Sequence, residues 1–418
     1  MSRRWFAITA VGLALTVGAC GKGSSGGGDG DSGGVKTGPG TTKDTISLGY
    51  LPDLSGVFAP NGKAMMEGAK LYWDAKNQAG GICGRKIELK TQDTAYDPQK
   101  AVAAYQQMSG DVVGLGLVLG SSITSALLPS VKQQNMFLNF AGWTSDILPS
   151  DNVAIAGTTY DIEAINAIDF LMREHGLKSG DAVGHLYFEG DYGENALKGS
   201  KYAANKHGLK IVEQKITPAE TDMTGQVAAF RRAGVKAILF SAAPPQAASL
   251  AGVAASQKLD VPIVANGPGW TPQLLKTPAA AALEKNYYVV SSMAPLDVQS
   301  EGVQRFLDDY KQAYPKGMPS SNGSLYAYAG AQIADAALTQ ACKDKDLTRK
   351  GVLDALHSQT ALDTGGTVAG KLDFSKTDEP PSRLVYTARV KKDAPGGLAV
   401  IGEPGTSDDA KSYTFGGS

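Results

Sequence analysis

Four short loops hold most of the hydrogen-bonding chemistry available to this chain. They are Gly120-Ser121-Ser122-Ile123-Thr124, Ala141-Gly142-Trp143-Thr144-Ser145-Asp146, Glu189-Gly190-Asp191-Tyr192-Gly193 and Gly267-Pro268-Gly269-Trp270. Hydroxyls beside free backbone N–H groups at a helix N-terminus hold a carboxylate without making or breaking a bond. Ser121, Ser122 and Thr124 exceed what one helix cap needs, so the first loop is read as a ligand contact in which one hydroxyl serves as the cap. Asp146 reads as a turn cap. Trp143, Tyr192 and Trp270 stand at strand ends, and each reads either as an aromatic wall of a cleft or as core packing.

Bond-making constellations are missing from the sequence. There is no G-x-S-x-G nucleophile elbow and no H-E-x-x-H metal site. Asn61-Gly62-Lys63-Ala64 has the close of a phosphate-binding loop, but position 57 is Val57 instead of its first glycine, and the magnesium-holding Ser/Thr is absent. Gly114-Leu115-Gly116 with Gly120 spaces its last glycine one residue too far for a dinucleotide fingerprint and lies inside a strand. His175, His185, His207 and His357 are scattered, two of them just before helix-ending glycines. No enzyme activity, no cofactor and no metal are expected.

The 418 residues include 40 Lys+Arg against 41 Asp+Glu, four His, three Cys and 51 Gly, and 42% are hydrophobic. A nucleic-acid partner is excluded, because binding one requires a basic surplus to displace counterions. Four His and three Cys are too few soft ligands for a zinc or iron–sulfur protein. The apolar fraction is ample for packed cores, and the length implies two or three of them.

Residues 1–19 read as a signal peptide. Arg3-Arg4 gives a positive start, and Trp5 to Val17 is an apolar run shorter than the roughly 20 residues of a bilayer span. Val17-Gly18-Ala19-Cys20 looks like a bacterial lipobox, in which Cys20 becomes a lipid-bearing N-terminus; in a plain signal peptide Cys20 would be incidental. Residues 20–44 follow as a Gly/Ser-rich tether, too poor in apolar residues for a core and expected to be flexible coil. Export to an oxidising compartment favours pairing of Cys83 with Cys342, the alternative being two unrelated buried thiols. Neither has the CxxC spacing or the nearby His of a metal or catalytic site.

The elements that must position these loops alternate strand and helix twice over. Strands at 46–51, 86–91, 112–119 and 136–140 are interleaved with helices at 64–78, 98–108 and 125–133. A helix at 161–175 then leads strands at 182–188, 210–216, 237–241, 261–265 and 287–292, interleaved with helices at 194–207, 223–233 and 246–257. Three helices follow at 299–314, 325–342 and 347–356, and 371–374 with 384–391 resemble a β-hairpin. The rhythm predicts an α/β fold of two doubly wound parallel-sheet lobes, with ligands in the crevice at the carboxyl ends of the strands. The expected divisions are lobe 1 at 45–158, lobe 2 at 159–294, a return to lobe 1 at 295–360, a β segment at 361–400 mainly in lobe 2, and a tail at 401–418.

One set of motifs joins these features. Asp53-Leu54-Ser55-Gly56, Gly62, Glu67-Gly68-Ala69, Ala79-Gly80-Gly81-Ile82-x-Gly84-Arg85 and Asp97-Pro98-x-Lys100-Ala101-Val102 lie within residues 46–104. Ser121-Ser122, Thr144-Ser145-Asp146 and Asp191-Tyr192-Gly193 follow. Together they closely resemble the leucine/isoleucine/valine-binding protein family, the type I periplasmic binding proteins of ABC importers, over about 45–393. The resemblance implies two lobes joined by crossover hinge strands that close about a small-molecule ligand. It also implies delivery to ABC permease and ATPase subunits by a monomer, lipid-anchored on the extracytoplasmic face of the cell membrane. By the same resemblance Ser121 and Thr144 hold a carboxylate, Ala141 and Gly142 present backbone groups, and Tyr192 reaches the ligand from the second lobe. Ser122, Trp143, Trp270, Phe58 and Asn61 complete the candidate contacts.

The departures from the family bear on the ligand. Members that take α-amino acids carry an acid in the loop after the strand at 261–265, but here Asn266-Gly267-Pro268-Gly269-Trp270 has none. Ala242-Ala243-Pro244 stands where a tyrosine is common, and Asn61 falls near a position that is often aromatic. A buried ammonium without a counter-charge is costly. The ligand therefore either lacks an ammonium group or pairs it with Glu189 or Asp191. An aromatic or otherwise bulky carboxylate is expected, with leucine-like amino acids as the alternative. A sensor of the same fold, signalling to a membrane partner, is the alternative to transport.

Overall fold

A computed structural model describes residues 30–415 except Gly33 and Lys316. The expected signal peptide at 1–19 and Cys20 lie outside the described residues. The described chain opens with β1 (Gly30–Ser32) and β2 (Val35–Thr37). It then forms β3 (Thr45–Leu51), α1 (Ala59–Gln78), β4 (Lys86–Thr91), α2 (Pro98–Met108), β5 (Gly114–Leu119), α3 (Ser121–Gln133), β6 (Phe137–Ala141) and β7 (Val153–Ile155). These build lobe 1, a five-stranded sheet in the order β4-β3-β5-β6-β7 with every pairing parallel. Every residue of β5 is buried, as a strand covered by helices on both faces requires.

Lobe 2 repeats the plan. It comprises α4 (Tyr160–His175), β8 (Ala182–Phe188), α5 (Asp191–His207), β9 (Lys210–Ile216), α6 (Thr224–Ala233), β10 (Ala237–Ser241), α7 (Pro244–Ser256), β11 (Ile263–Asn266), α8 (Ala280–Asn286) and β12 (Tyr287–Ser291). Its parallel strands run β9-β8-β10-β11-β12, so counting within each lobe both sheets have the order 2-1-3-4-5. In such sheets the crevice opens where the order reverses, between the first and third strands. In lobe 1 that point lies between β3 and β5.

The chain then returns to lobe 1 as α9 (Glu301–Ala313), α10 (Asn322–Lys343), β13 (Asp346–Leu347) and α11 (Arg349–His357). α10 lies directly on α1: a Cβ on Gly68 would fall 1.8 Å from the Ser324 carbonyl oxygen, so only glycine permits this approach. The Tyr72 hydroxyl donates to Asp335 across the same contact at 2.6 Å. Cys83 and Cys342 form a disulfide there, with Cα atoms 6.0 Å apart. Closing a loop of 259 residues removes unfolded-chain entropy equivalent to up to about 5 kcal/mol.

Three segments cross between the lobes and bond to one another. The Ser292 hydroxyl donates to the Ala156 carbonyl, Ala294 N–H to Thr367, and Ala369 N–H to Ser292. Beyond the third crossing, β14 (Tyr386–Val390) and β15 (Leu398–Val400) extend the lobe 2 sheet by antiparallel pairing in the order β15-β14-β12. The chain closes with α12 (Asp408–Ser412).

Three expectations are corrected here. Residues 371–374 do not pair with 384–391; Leu362 bridges Leu372 instead, and the hairpin partner of β14 is β15. The segment at 401–415 is no free tail, because Asp409 pairs with Lys206 and His207 and Ala410 is fully buried. The tether expected at 20–44 is docked from Val35 onward. β2 pairs with β13, the Thr41 hydroxyl donates to the Leu347 carbonyl, and Thr37 and Thr41 are buried. Backbone pairing to an otherwise open edge holds this segment where its few apolar residues could not.

Candidate ligand-binding cleft

Between the lobes lies a cavity with about 840 Å³ of unfilled space, its mouth included. Among the described residues that line it, none is charged. Contacts across the cleft hold the lobes together around it. The Ser125 hydroxyl donates to Asp191 (2.6 Å), Lys198 pairs with Asp146 (2.6 Å), and Gln273 donates to the Ser320 carbonyl (2.9 Å).

The lobe 1 wall is set by the loop after β3. Asp53 is wholly buried, and its carboxylate accepts from the N–H groups of Ser55, Gly56 and Phe58 at 3.2, 2.5 and 2.8 Å. This cage fixes the turn that delivers Phe58 and, at the start of α1, Asn61. A Cβ on Gly62 would lie 1.8 Å from the Asp53 carbonyl oxygen, so the Asp53 and Gly62 motif residues are scaffold for that turn. Asn61 donates across the cleft to the Pro268 carbonyl (3.3 Å).

The loop after β5 supplies the polar end. Gly120, at φ 117°, precedes α3, whose N-terminus has no side-chain cap. Ser121 is the first residue of that helix, and its hydroxyl faces the cavity 1% exposed and without a hydrogen-bond partner. From lobe 2, Tyr192 in the first turn of α5 brings an equally unpartnered hydroxyl at 4% exposure. Asn61 Oδ1 and Asn322 Oδ1 are also buried without partners. Burial raises the phenols of Tyr192 and Tyr160 well above the ordinary tyrosine value, so both remain neutral donors. A helix N-terminus and two unpartnered hydroxyls lining one cavity can hold a carboxylate.

Seven of the residues singled out in the sequence line this one cavity: Phe58, Asn61, Ser121, Ala141, Trp143, Tyr192 and Trp270. The Ala141 carbonyl is already taken by Gly120 N–H. Trp143 packs against Tyr160 and Tyr326, with centroids 5.4 Å away in each case. Trp270 donates its indole N–H to the Gly396 carbonyl (3.1 Å).

Five others are not brought to the cavity. Ser122 turns toward the Tyr96 hydroxyl. Gly142 is buried against Phe140 and the Ser121 backbone and does not line the cavity. Thr144 is fully buried, and its hydroxyl caps the short helical turn after it by accepting from Asp146 N–H at 3.4 Å, so it does not hold a ligand carboxylate. Neither residue offered as an ammonium partner faces the ligand space. Glu189 is exposed, and Asp191 is engaged with Ser125 in closing the cleft.

The sequence reading missed the rest of the wall. Ala95 and Tyr96 are consecutive non-glycine residues in left-handed conformation, at φ 51° and 57°. That rare geometry turns the Tyr96 ring onto Phe58, 4.8 Å between centroids. Tyr160, Met293, Tyr326, Tyr386, Ala388 and Leu398 also line the cavity. Behind the wall, fully buried Glu163 accepts from Asn266 (2.7 Å) and from Ser292 N–H (3.3 Å), and burial pushes its carboxyl up to about 8. The chain of bonds continues from Asn266 through Ser241 to His185, which burial holds down to about 3.

Two lobes closed over a cleft with no charged side chain among the described residues of its wall have the architecture of a solute-binding protein. The chain belongs to the periplasmic binding protein family, whose model matches residues 45–395. A fatty acid ABC transporter substrate-binding protein from Thermomonospora curvata superposes with a TM-score of 0.88 at 40% identity, covering 91% of this chain and 97% of that one. A branched-chain amino acid ABC transporter protein from Thermus thermophilus, with bound valine, shares the fold at a TM-score of 0.79 and 18% identity, with 88% and 98% covered. Leu/Ile/Val-binding protein homolog 3 of Brucella melitensis is 24% identical over 352 residues, 80% of this chain and 88% of its own.

Proposed function

We propose that this protein is the extracytoplasmic receptor of an ABC importer for carboxylic acids that have an apolar tail and no α-ammonium group, fatty acids in the first instance. One observation carries the reading. The cavity offers a carboxylate the α3 N-terminus, Ser121 and Tyr192, and it offers an ammonium group no acid at all. An ammonium enclosed there would lose its hydration without a counter-charge, at a cost of several kcal/mol. Asn61, Asn322 and Ser291 aside, the remaining side chains of the wall are aromatic and aliphatic, which suits a hydrocarbon tail. The likeness at 40% identity to a protein named for fatty acids supports the same ligand class, whereas the amino-acid-binding relatives are more distant.

The reading includes Cys20 as the lipid attachment point, the monomer as the working unit and a permease as the recipient of the ligand. Calorimetric titration of the protein, stripped of co-purified lipid, with octanoate and with 2-aminooctanoate tests the ligand class. The acid is expected to bind at least a hundredfold more tightly than its amino counterpart. Equal or tighter binding of the amino acid would return the protein to amino-acid transport.

A further inference from the structure

The three strands at the C-terminal edge of the lobe 2 sheet present one face to the cavity. In the antiparallel register Val289 lies opposite Ala388, Ser291 opposite Tyr386, and Val390 opposite Leu398. Directly opposed residues and their i±2 neighbours share a face. Val289, Ser291, Tyr386, Ala388 and Leu398 therefore project the same way, and all five line the cavity. The two hydroxyls on this face are already engaged: Ser291 accepts from Met293 N–H (3.2 Å) and bonds to the Glu163 carboxyl, and Tyr386 donates to the Gly366 carbonyl (3.2 Å). The wall thus offers a ligand hydrocarbon contact alone. Ala388 is its smallest side chain, set centrally beside Val289 and flanked along the face by Tyr386 and Val390.

We infer that this wall measures the acyl tail and that Ala388 sets the longest chain over which the lobes can close. The inference rests on the carboxylate reading above and adds to it the element that determines chain length. Each methylene that enters the wall increases affinity about fourfold, and the gain stops when the tail meets the strands. Affinity against chain length should therefore rise and then level off at a defined carbon number. Leucine at position 388 adds three carbons where the tail would end, so it shortens the usable chain by roughly three methylenes.

The test titrates delipidated protein with straight-chain acids from hexanoate upward, for wild type, Ala388→Leu and Leu398→Ala. Ala388→Leu is expected to move the plateau about three carbons shorter and to weaken acids at the wild-type optimum at least tenfold. Leu398→Ala, which opens the same wall, is expected to move the plateau to longer chains, and it keeps the test decisive if the leucine variant does not fold. A plateau at the same length in both variants, with wild-type affinities, overturns the ruler and leaves the carboxylate reading intact. Failure of the wild type to bind any straight-chain acid overturns that reading and the ruler with it.

Discussion

Replacing Tyr192 with phenylalanine should separate binding from stability. The ring is kept, and with it the contact to Tyr160 at 4.4 Å between centroids. Only the hydroxyl is lost, and in the closed cleft without ligand that hydroxyl is buried with no partner. A hydrogen bond from a neutral donor to a carboxylate contributes about 1.5–3 kcal/mol, so the variant should bind its acid about 10- to 150-fold more weakly. Removing an unpartnered buried hydroxyl does not destabilise the empty protein, and in the closed state it relieves about 1–3 kcal/mol of desolvation. Calorimetric titration gives the first quantity, and thermal unfolding with and without ligand gives both. At a ligand concentration 100 times the wild-type Kd, stabilisation is about 2.7 kcal/mol; a thirtyfold weaker variant retains about 0.9 kcal/mol. The empty variant should melt at or above the wild-type temperature. A variant with unchanged Kd and an empty form melting several degrees lower would show that the Tyr192 hydroxyl belongs to the fold and not to the ligand.

Two further outcomes follow from the buried acid and the docked N-terminal segment. Glu163 has a folded-state value of about 8 against 4.5 in the open chain, mainly because it is buried, so the folded protein holds the extra proton and stability falls as pH rises through that interval. His185, held near 3, titrates differently in the folded and unfolded chains only below about 6.5. Between pH 6.5 and 8, Glu163→Gln should therefore flatten the decline in melting temperature; a wild-type slope retained in the variant would place its origin elsewhere. Beginning the chain at residue 45 instead of 30 removes β1, β2 and the bonds to β13, together with the Gly40 and Thr42 carbonyls that accept from Ser47 N–H and the buried Arg85, at a cost of roughly 3 kcal/mol or more and several degrees in melting temperature. Ligand affinity should stay as it was, and an equal melting temperature would show that the docked segment contributes nothing.

Alternation of apolar runs with helical spacing located the two lobes and the strand-end loops, because each signal is confined to a few neighbouring residues. Helix starts were read late where the first turn is rich in cap and turn formers: α3 begins at Ser121, not Ser125, and α1 at Ala59, not Ala64, with Pro60, Asn61 and Gly62 in its first turn. Ser121 and Thr144 look alike in sequence, each a hydroxyl at a strand end. Only the fold shows that one faces the cavity while the other caps a turn. The aliphatic wall was invisible for a different reason. β15 has three residues, and it is the pairing of β14 with β12 that sets Leu398 on one face with Val289, more than 100 positions earlier, which no local pattern encodes. Tyr96 reaches the cavity through a left-handed backbone that neither its own type nor that of Ala95 announces.

The Cys83–Cys342 bond makes a covalent ring of the chain between those residues. The whole of lobe 2 up to β12 and the first two crossings lie inside it; the third crossing, β14 and β15 lie outside. A single proteolytic nick anywhere in the ring leaves one molecule, whose two pieces separate on a gel only after reduction. Both sides of the cleft thus remain covalently joined after a first cut in lobe 2, and a broken loop can re-form its native contacts without having to find a diffusing partner.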